Sequence, residues 1–164
     1  MKTKNTAIVK QIACDLGFDF VGIAKAKRLD KDAIRLENWL SKGGNAKMGY
    51  MENHFEKRVD PTKLVEGSKS VISLLYNYHT KKRQLDENAP KLAKYAFGED
   101  YHFVVREKLN EFLTSLQTQI GKVEGRGFVD SAPVLDRAWA RESGLGWIGK
   151  NSMLINKHRG SDFF

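Results

Sequence analysis

The stretch over residues 128–164 reads FVDSAPVLDRAWARESGLGWIGKNSMLINKHRGSDFF. A short apolar run ends at Asp130, a proline-containing turn follows, and a helical pattern comes next. The segment GLGWIG at 144–149 then contains three glycines in six residues, and Lys150 and Asn151 follow it directly. Ordinary core packing does not require this density of special residues. We therefore predict that the rest of the chain is a scaffold that presents this stretch.

Length and composition bound the class of protein. The chain has 164 residues, of which 41% are hydrophobic and 29% charged, as expected for one globular domain over residues 1–164. No apolar run reaches the roughly 20 residues of a membrane span, and the N-terminus lacks the apolar core of a secretory signal. The single cysteine, Cys14, excludes an internal disulfide and a thiolate-held cluster within these residues, and it predicts a cytoplasmic protein.

The charge of the chain allows two interpretations. Its formal net charge is +8 and its isoelectric point is about 9.5. A polyanionic partner such as RNA or a phosphate-rich cofactor fits that excess, and so does a lysine-rich surface that only keeps the protein in solution. Composition alone leaves both interpretations open.

The periodicity of apolar residues predicts an α/β (α+β) fold with a mixed sheet flanked by helices. A helix ending at Gly17, a helix capped by Asp30 and a long helix capped by Asp100 carry the clearest patterns. A short helix should begin at Asp60-Pro61 and run through Val65. The predicted strands are 18–24, 70–78, 123–129, 152–156 and 162–164. The strand-like apolar pair at the end of the chain suggests a truncation inside a strand.

The glycine-rich segment matches two phosphate-binding patterns only in part. Gly144, Gly146 and Gly149 fit G-x-G-x-x-G, but a helix precedes them and a strand follows, which reverses the order that a dinucleotide site needs. A P-loop requires a hydroxyl residue after the lysine, and Asn151 stands there. The segment is therefore either a close approach of backbone to a ligand or a helix end followed by a tight turn.

The acidic residues near this segment also have alternative roles. Asp130 either stabilises a turn or acts as a general acid, and the second role requires surroundings that hold its proton near pH 7. We expect Asp136 and Arg137 to form an ordinary ion pair. The four histidines are scattered without metal-ligand spacing, and the start of a D-x-H-x-x-G cobalamin motif at Asp100 lacks its glycine. No metal ligands are predicted.

Several collinear segments resemble the epoxyqueuosine reductase family. They are VDSAPVLDRAWARESGLGWIGKNSMLIN at 129–156, EKRVDP at 56–61, SVISLLYNY at 70–78 and KYAFGEDYH at 94–102. The resemblance covers essentially the whole chain. It implies a cobalamin-binding domain similar to the nitroreductase-like domains of reductive dehalogenases, with no histidine on the cobalt.

The resemblance also implies a reaction and a site. Members of the family reduce epoxyqueuosine to queuosine in tRNA with cobalamin and two [4Fe–4S] clusters. Asp130 matches their proposed proton donor. The other residues expected to line the corrinoid are Arg58, Ala93, Lys94, Lys150, Asn151 and Leu154.

The cysteine content departs from this family pattern. Two such clusters need several cysteine ligands, and Cys14 is alone. We therefore expect the cobalamin-binding part of a reductase, truncated at its C-terminus and inactive without a separate electron-donor protein. The alternatives are a flavin-binding oxidoreductase domain and a non-enzymatic basic RNA-binding module.

Overall fold

Helices and two small sheets alternate along the chain in the computed structural model, which describes residues 2–86 and 88–164. The helices are α1 (Lys2–Asp15), α2 (Asp30–Ser41), α3 (Phe55–Val59), α4 (Tyr101–Ile120) and α5 (Asp136–Glu142). The strands are β1 (Phe20–Lys25), β2 (Ser70–Leu75), β3 (Trp147–Ile148) and β4 (Leu154–Ile155), and short 3₁₀ turns cover Gly49–Met51, Pro61–Lys63 and Lys94–Ala96. This confirms the α/β class. Within the described residues, no helix is both long and apolar enough to cross a membrane.

The strands pair in two separate sheets rather than in one mixed sheet. β1 pairs with β2, and β3 pairs with β4. The Asp19 amide donates to the Leu75 carbonyl and the Ala26 amide to the Lys69 carbonyl, which is an antiparallel register. β3 and β4 form a tight antiparallel hairpin, closed by the bond from the Gly149 amide to the Met153 carbonyl.

Contacts divide the chain into two compact units. The first consists of residues 1–21, 74–129 and 155–164, and the second of residues 22–73 and 130–154. The expectation of one domain over the whole chain stays a prediction.

The first unit is built on the pair of helices α1 and α4. Ile12 and Ala13 of α1 are buried, as are Phe112 and Leu116 of α4, which confirms the apolar stripes seen in the sequence. Phe18 follows α1 and meets the ring of Phe112 edge to face at 6.5 Å. As predicted, the Asp100 carboxylate caps α4, and it accepts the His102 amide at 2.9 Å.

The second unit has a core of three buried residues, Ala33, Leu36 and Val59. Leu40, Met51, Phe55 and Leu135 pack against them. Val59 is completely shielded from solvent. Because Leu135 directly precedes α5, this core fixes the start of α5 against α3.

Several predicted elements differ from the structure. Residues 162–164 make only an isolated bridge, from Phe163 to Asn77, and the strand predicted over 152–156 is limited to Leu154–Ile155. The helix predicted from Asp60-Pro61 through Val65 is a 3₁₀ turn over Pro61–Lys63.

Asp30 is the first residue of α2 rather than its cap, and Leu29 holds the cap position without a side-chain bond. Residues 123–129 form no strand: within the described residues no strand pairs with them, and the Gln117 side chain of α4 donates to the Val123 carbonyl at 3.0 Å. The strand predicted over 70–78 is shorter, and of its observed residues only Leu75 is buried.

The pair Arg141–Asp32 joins α5 to α2. The two guanidinium nitrogens of Arg141 donate to the two carboxylate oxygens of Asp32 at 3.3 and 2.7 Å, and the side chains are only 27% and 13% exposed. Bidentate, half-buried pairs contribute more than exposed ones. Arg141→Ala should therefore lower the free energy of unfolding by about 1–2 kcal/mol in a urea titration.

Arg35 provides a matched control for this prediction. It contacts the same Asp32 carboxylate at 3.5 Å, but its side chain is 70% exposed. Arg35→Ala should cost less than about 0.5 kcal/mol. Equal losses for the two variants would contradict the assignment of the bidentate pair as the main link.

Candidate active site

Asp130 lies in an exposed loop with an unusual backbone conformation. Its φ is +48°, in the left-handed region that only glycine, asparagine and aspartate enter readily. The sequence places it at the end of a strand, whereas the structure places it in a loop between α4 and α5. Residues held in such conformations occur often at functional loops, because the surrounding structure must maintain them.

Asp136, at the start of α5, is a second carboxyl group in the same unit. Limited access of water and the negative charge of Asp130 raise the pKa of Asp136 to about 6, although the side chain keeps contact with solvent. The cationic side chains of Arg137 and Arg58 oppose this rise in its pKa. The sequence missed this property, since the crowding that desolvates the Asp136 carboxyl group and the neighbouring charge of Asp130 arise only in the fold.

The predicted ion pair between Asp136 and Arg137 does not form among the described residues. Arg137 instead donates to the carbonyl oxygen of Ser152 at 2.7 Å. This bond ties α5 to the turn of the β3–β4 hairpin. The prediction of an ordinary ion pair is therefore wrong.

Arg58 is a buried cation on α3. Its side chain reaches back to the carbonyl oxygen of Tyr50 at 3.0 Å, and the residue is only 8% exposed. Its Nε atom is buried and finds no partner within the described chain. A buried donor without an acceptor is costly, so this atom is suited to a ligand that offers an oxygen.

The glycine-rich segment ends α5 and leads into the hairpin. Gly144 has a φ of +80° and terminates α5, as the structural interpretation of this segment predicts. Between β3 and β4, the Asn151 side chain accepts the Met153 amide at 3.2 Å, and Ser152 has a φ of +64°. The side chain of Asn151 therefore shapes the turn, while Lys150 is exposed on it.

The remaining predicted site residues lie in different surroundings. Leu154 is 7% exposed and belongs to the packed interior. Ala93 and Lys94 are exposed residues of the first unit, at the start of the 3₁₀ turn Lys94–Ala96. Their contact with a cofactor stays a prediction, as it does for Arg58, Asp130, Lys150, Asn151 and Leu154.

A basic depression of about 410 Å³ lies beside Lys94 in the first unit. Its lining residues are His79, Thr80, Lys81, Lys82, Arg83 and Lys94.

Elsewhere in the first unit, the Asp100 carboxylate contacts both the amide and Nδ1 of His102, and these bonds lower the pKa of Asp100. Residues 2–86 and 88–164 bring no three histidine, cysteine or acidic side chains together as a metal site.

Comparisons with known proteins agree with the motifs. The family model described as "Epoxyqueuosine reductase QueG, DUF1730" matches residues 58–131. An epoxyqueuosine reductase from Cyclobacterium marinum is 60% identical over 163 residues, which are 98% of this chain and 52% of that relative. One from Pseudomonas aeruginosa is 40% identical over 95% of this chain and 44% of its own length.

Comparison with solved structures also finds epoxyqueuosine reductases. The epoxyqueuosine reductase from Streptococcus thermophilus is 26% identical, with a TM-score of 0.87 over 97% of this chain and 44% of its own. An epoxyqueuosine reductase bound to an epoxyqueuosine-modified stem loop of tRNA-Tyr has a TM-score of 0.86 and 27% identity, covering 99% of this chain and 44% of its own. This chain thus spans about half the length of the curated relatives that it matches, and over nearly all of its residues it is homologous to the epoxyqueuosine reductase family.

Proposed function

We propose that this chain is the cobalamin-binding part of a cytoplasmic oxidoreductase that reduces epoxyqueuosine to queuosine in tRNA. The observation that carries the proposal is the 60% identity to an epoxyqueuosine reductase over 98% of this chain. The similarity to the cobalamin-binding domains of reductive dehalogenases belongs to the same proposal.

The residues of the second unit fit a corrinoid. Its peripheral amide groups offer carbonyl oxygens, and the unpaired Nε donor of Arg58 can meet such an acceptor. Lys150 is exposed on a hairpin turn whose shape Asn151 and Arg137 maintain. When bound, reduced cobalamin supplies the nucleophilic or reducing chemistry.

Asp130 is assigned the delivery of a proton. Opening an epoxide and losing its oxygen as water consumes protons, and a positioned carboxyl group can pass them to the substrate. The exposed loop position lets the Asp130 side chain reach a substrate. A related epoxyqueuosine reductase from Bacillus subtilis has been solved with its catalytic aspartate loop swung out of the active site. The loop around Asp130 is the corresponding candidate here.

Electrons must come from outside these 164 residues. Two [4Fe–4S] clusters require several thiolate ligands, and Cys14 is the chain's one cysteine. We therefore propose that cluster-bearing residues elsewhere, or a separate electron-donor protein, reduce the cofactor.

We assign tRNA as the substrate from the basic charge of this chain and from the ligand of one related structure. That relative is solved with a tRNA stem loop. The basic depression around Lys81, Lys82 and Arg83 is suited to the phosphate backbone, and its affinity for RNA should fall as salt rises.

A titration with cob(II)alamin, followed by visible and EPR spectra, tests the cofactor assignment. We expect a saturable, base-off signal without histidine nitrogen on the cobalt. The double variant Lys150→Ala/Asn151→Ala should raise the dissociation constant about tenfold, because it removes a cation and loosens the hairpin turn.

Two comparisons give this titration its controls. Lys122→Ala removes an exposed lysine of the first unit and should leave the affinity unchanged. A parallel titration with FMN separates the flavin alternative. Saturable binding of FMN without binding of cobalamin would overturn the cofactor assignment.

A further inference from the structure

An aromatic cluster lies in the first unit beside the start of α4. Its members are Tyr78, Tyr95, Tyr101 and Phe164. The ring of Phe164 stacks on that of Tyr101, with 4.1 Å between the centroids and 7° between the planes, and it meets the ring of Tyr78 at 4.8 Å. Tyr95 contacts Tyr78 and Tyr101 edge to face at 6.3 and 6.2 Å. Because aromatic pairs in these geometries stabilise one another, the cluster holds each ring in place.

Tyr95 is the exposed member of the aromatic cluster. It is 51% exposed, whereas Tyr78, Tyr101 and Phe164 are only partly exposed. A single exposed ring is ordinary on a protein surface, so its surroundings decide whether it has a role. Since two neighbouring rings already hold Tyr95, it loses little conformational freedom when a ligand stacks on it.

The basic depression of the first unit adjoins this ring at two points. Lys94, which precedes Tyr95, lines the depression, and so does His79, which follows Tyr78. Asp162 holds this edge in place, because its carbonyl oxygen accepts the Tyr78 amide at 3.0 Å and its carboxylate lies 2.9 Å from Nδ1 of His79. The aromatic cluster and the depression therefore form one continuous surface within the first unit.

The charges of this surface favour a polyanion with exposed flat groups. Lys81, Lys82, Arg83 and Lys94 supply the positive charge, and among the described residues no acidic side chain lines the depression. Surfaces that bind single-stranded nucleic acid combine such cations, which follow the phosphates, with aromatic rings on which the bases stack. Paired bases inside an RNA helix are not available for this stacking. The combination therefore indicates unpaired nucleotides rather than a duplex.

We propose that Tyr95 is the platform on which an unpaired base of single-stranded RNA stacks, while the cations of the basic depression hold the neighbouring phosphates. The inference rests on the proposed function, in which tRNA is the substrate, and it assigns this contact to unpaired nucleotides of the anticodon loop. Every base has a flat face, so Tyr95 contributes affinity and position rather than recognition of a particular base.

Fluorescence anisotropy of the 164-residue chain with two labelled RNAs tests the stacking. One RNA is an anticodon stem loop, and the other is a duplex of the same length without unpaired nucleotides. Tyr95→Leu keeps an apolar side chain but removes the ring, and it should raise the dissociation constant for the stem loop about tenfold. Tyr95→Phe keeps the ring and should bind the stem loop like the parent. Neither variant should change the affinity for the duplex.

Two further variants separate stacking from charge. Phe103→Leu removes a ring that is 62% exposed on α4, about 200° around the helix from Tyr101, and should leave binding of the stem loop unchanged. Lys82→Ala should weaken binding of both RNAs and reduce the slope of log K against log salt by about one. Tyr95→Leu should leave that slope unchanged, because an aromatic ring releases no counterions.

The possible failures point to different errors. An unchanged affinity for the stem loop in Tyr95→Leu would overturn the stacking role and leave the assignment of tRNA intact. An equal loss for stem loop and duplex would also overturn it, since Tyr95 would then only support the basic surface. A loss of cob(II)alamin affinity with no loss for the stem loop would assign the ring to the cofactor instead. A parent chain that binds neither RNA would contradict the assignment of tRNA itself.

Discussion

Asp130→Asn should abolish epoxyqueuosine reduction while leaving cobalamin bound. We expect kcat in the full-length protein to fall by about 10²–10⁴-fold, the usual contribution of a positioned acid. Asparagine keeps the size of the side chain and tolerates the left-handed backbone at φ +48°, so the loop should hold its shape. The dissociation constant for cob(II)alamin should change by less than about threefold, which corresponds to about 0.7 kcal/mol of binding free energy. Single-turnover assays with an epoxyqueuosine-containing stem loop measure the loss.

Two variants show whether the proton of Asp130 causes this effect. Asp15→Asn removes the same charge from the exposed end of α1, where the side chain only accepts a bond from Gln11, and should leave kcat unchanged. Asp130→Ala removes the carboxyl group but adds strain at a left-handed position, so it should lower stability as well as activity. Retained turnover in Asp130→Asn would remove Asp130 from the acid role.

The sequence was most informative where local chemistry decides the structure. The apolar spacing of α4, its cap Asp100 and its end at Gly121 all lie within one segment, and each of these predictions is confirmed. The capping role predicted for Asp60 is also confirmed, since its carboxylate accepts the Thr62 amide, although the element that it caps is a 3₁₀ turn over Pro61–Lys63 and not a helix through Val65. Such signals need no partner from elsewhere in the chain.

Predictions that depend on a distant partner were less successful. The segment 123–129 contains the β-forming Val123, Phe128 and Val129, but a strand needs another strand, and none pairs with this segment among the described residues. Ile34 and Trp39 fit the apolar pattern of α2, yet they are 59% and 37% exposed because Ala33 and Leu36 face the core. Asp136 escaped notice for the same reason, since its raised pKa arises from groups that only the fold brings near it.

Gly22→Ala should strongly destabilise the second unit. Gly22 is a buried residue of β1, and a Cβ atom there would lie 2.6 Å from the carbonyl oxygen and 2.7 Å from the Cβ of Ser143. The Ser143 side chain is itself held by bonds to the carbonyls of Trp139 and Ala140, at 2.9 and 3.0 Å. Because neither the backbone of β1 nor the bonded Ser143 side chain can shift freely, α5 or β1 must move. We expect a loss of about 2–3 kcal/mol in the free energy of unfolding, measured by urea titration.

The movement of α5 should also disturb the candidate active site around the β3–β4 hairpin turn. Arg137 connects α5 to the hairpin turn through Ser152, and Asp136 begins the same helix. Gly22→Ala should therefore weaken cob(II)alamin binding although Gly22 itself lies on β1. Gly49→Ala is the matched control, because a Cβ atom at Gly49 meets nothing within 4 Å, and its effect should stay within about 0.5 kcal/mol.

A double variant distinguishes this clash from a general intolerance of β1 to a side chain. Ser143→Gly removes the Cβ and Oγ atoms at 2.7 Å from the new methyl group but leaves the carbonyl oxygen at 2.6 Å. Combined with Gly22→Ala, it should recover part of the lost stability and part of the cofactor affinity, with a coupling energy of about 1 kcal/mol in the double-mutant cycle. Strict additivity would show that the two residues are not in conflict, and the strain would then have to lie along β1 rather than against α5.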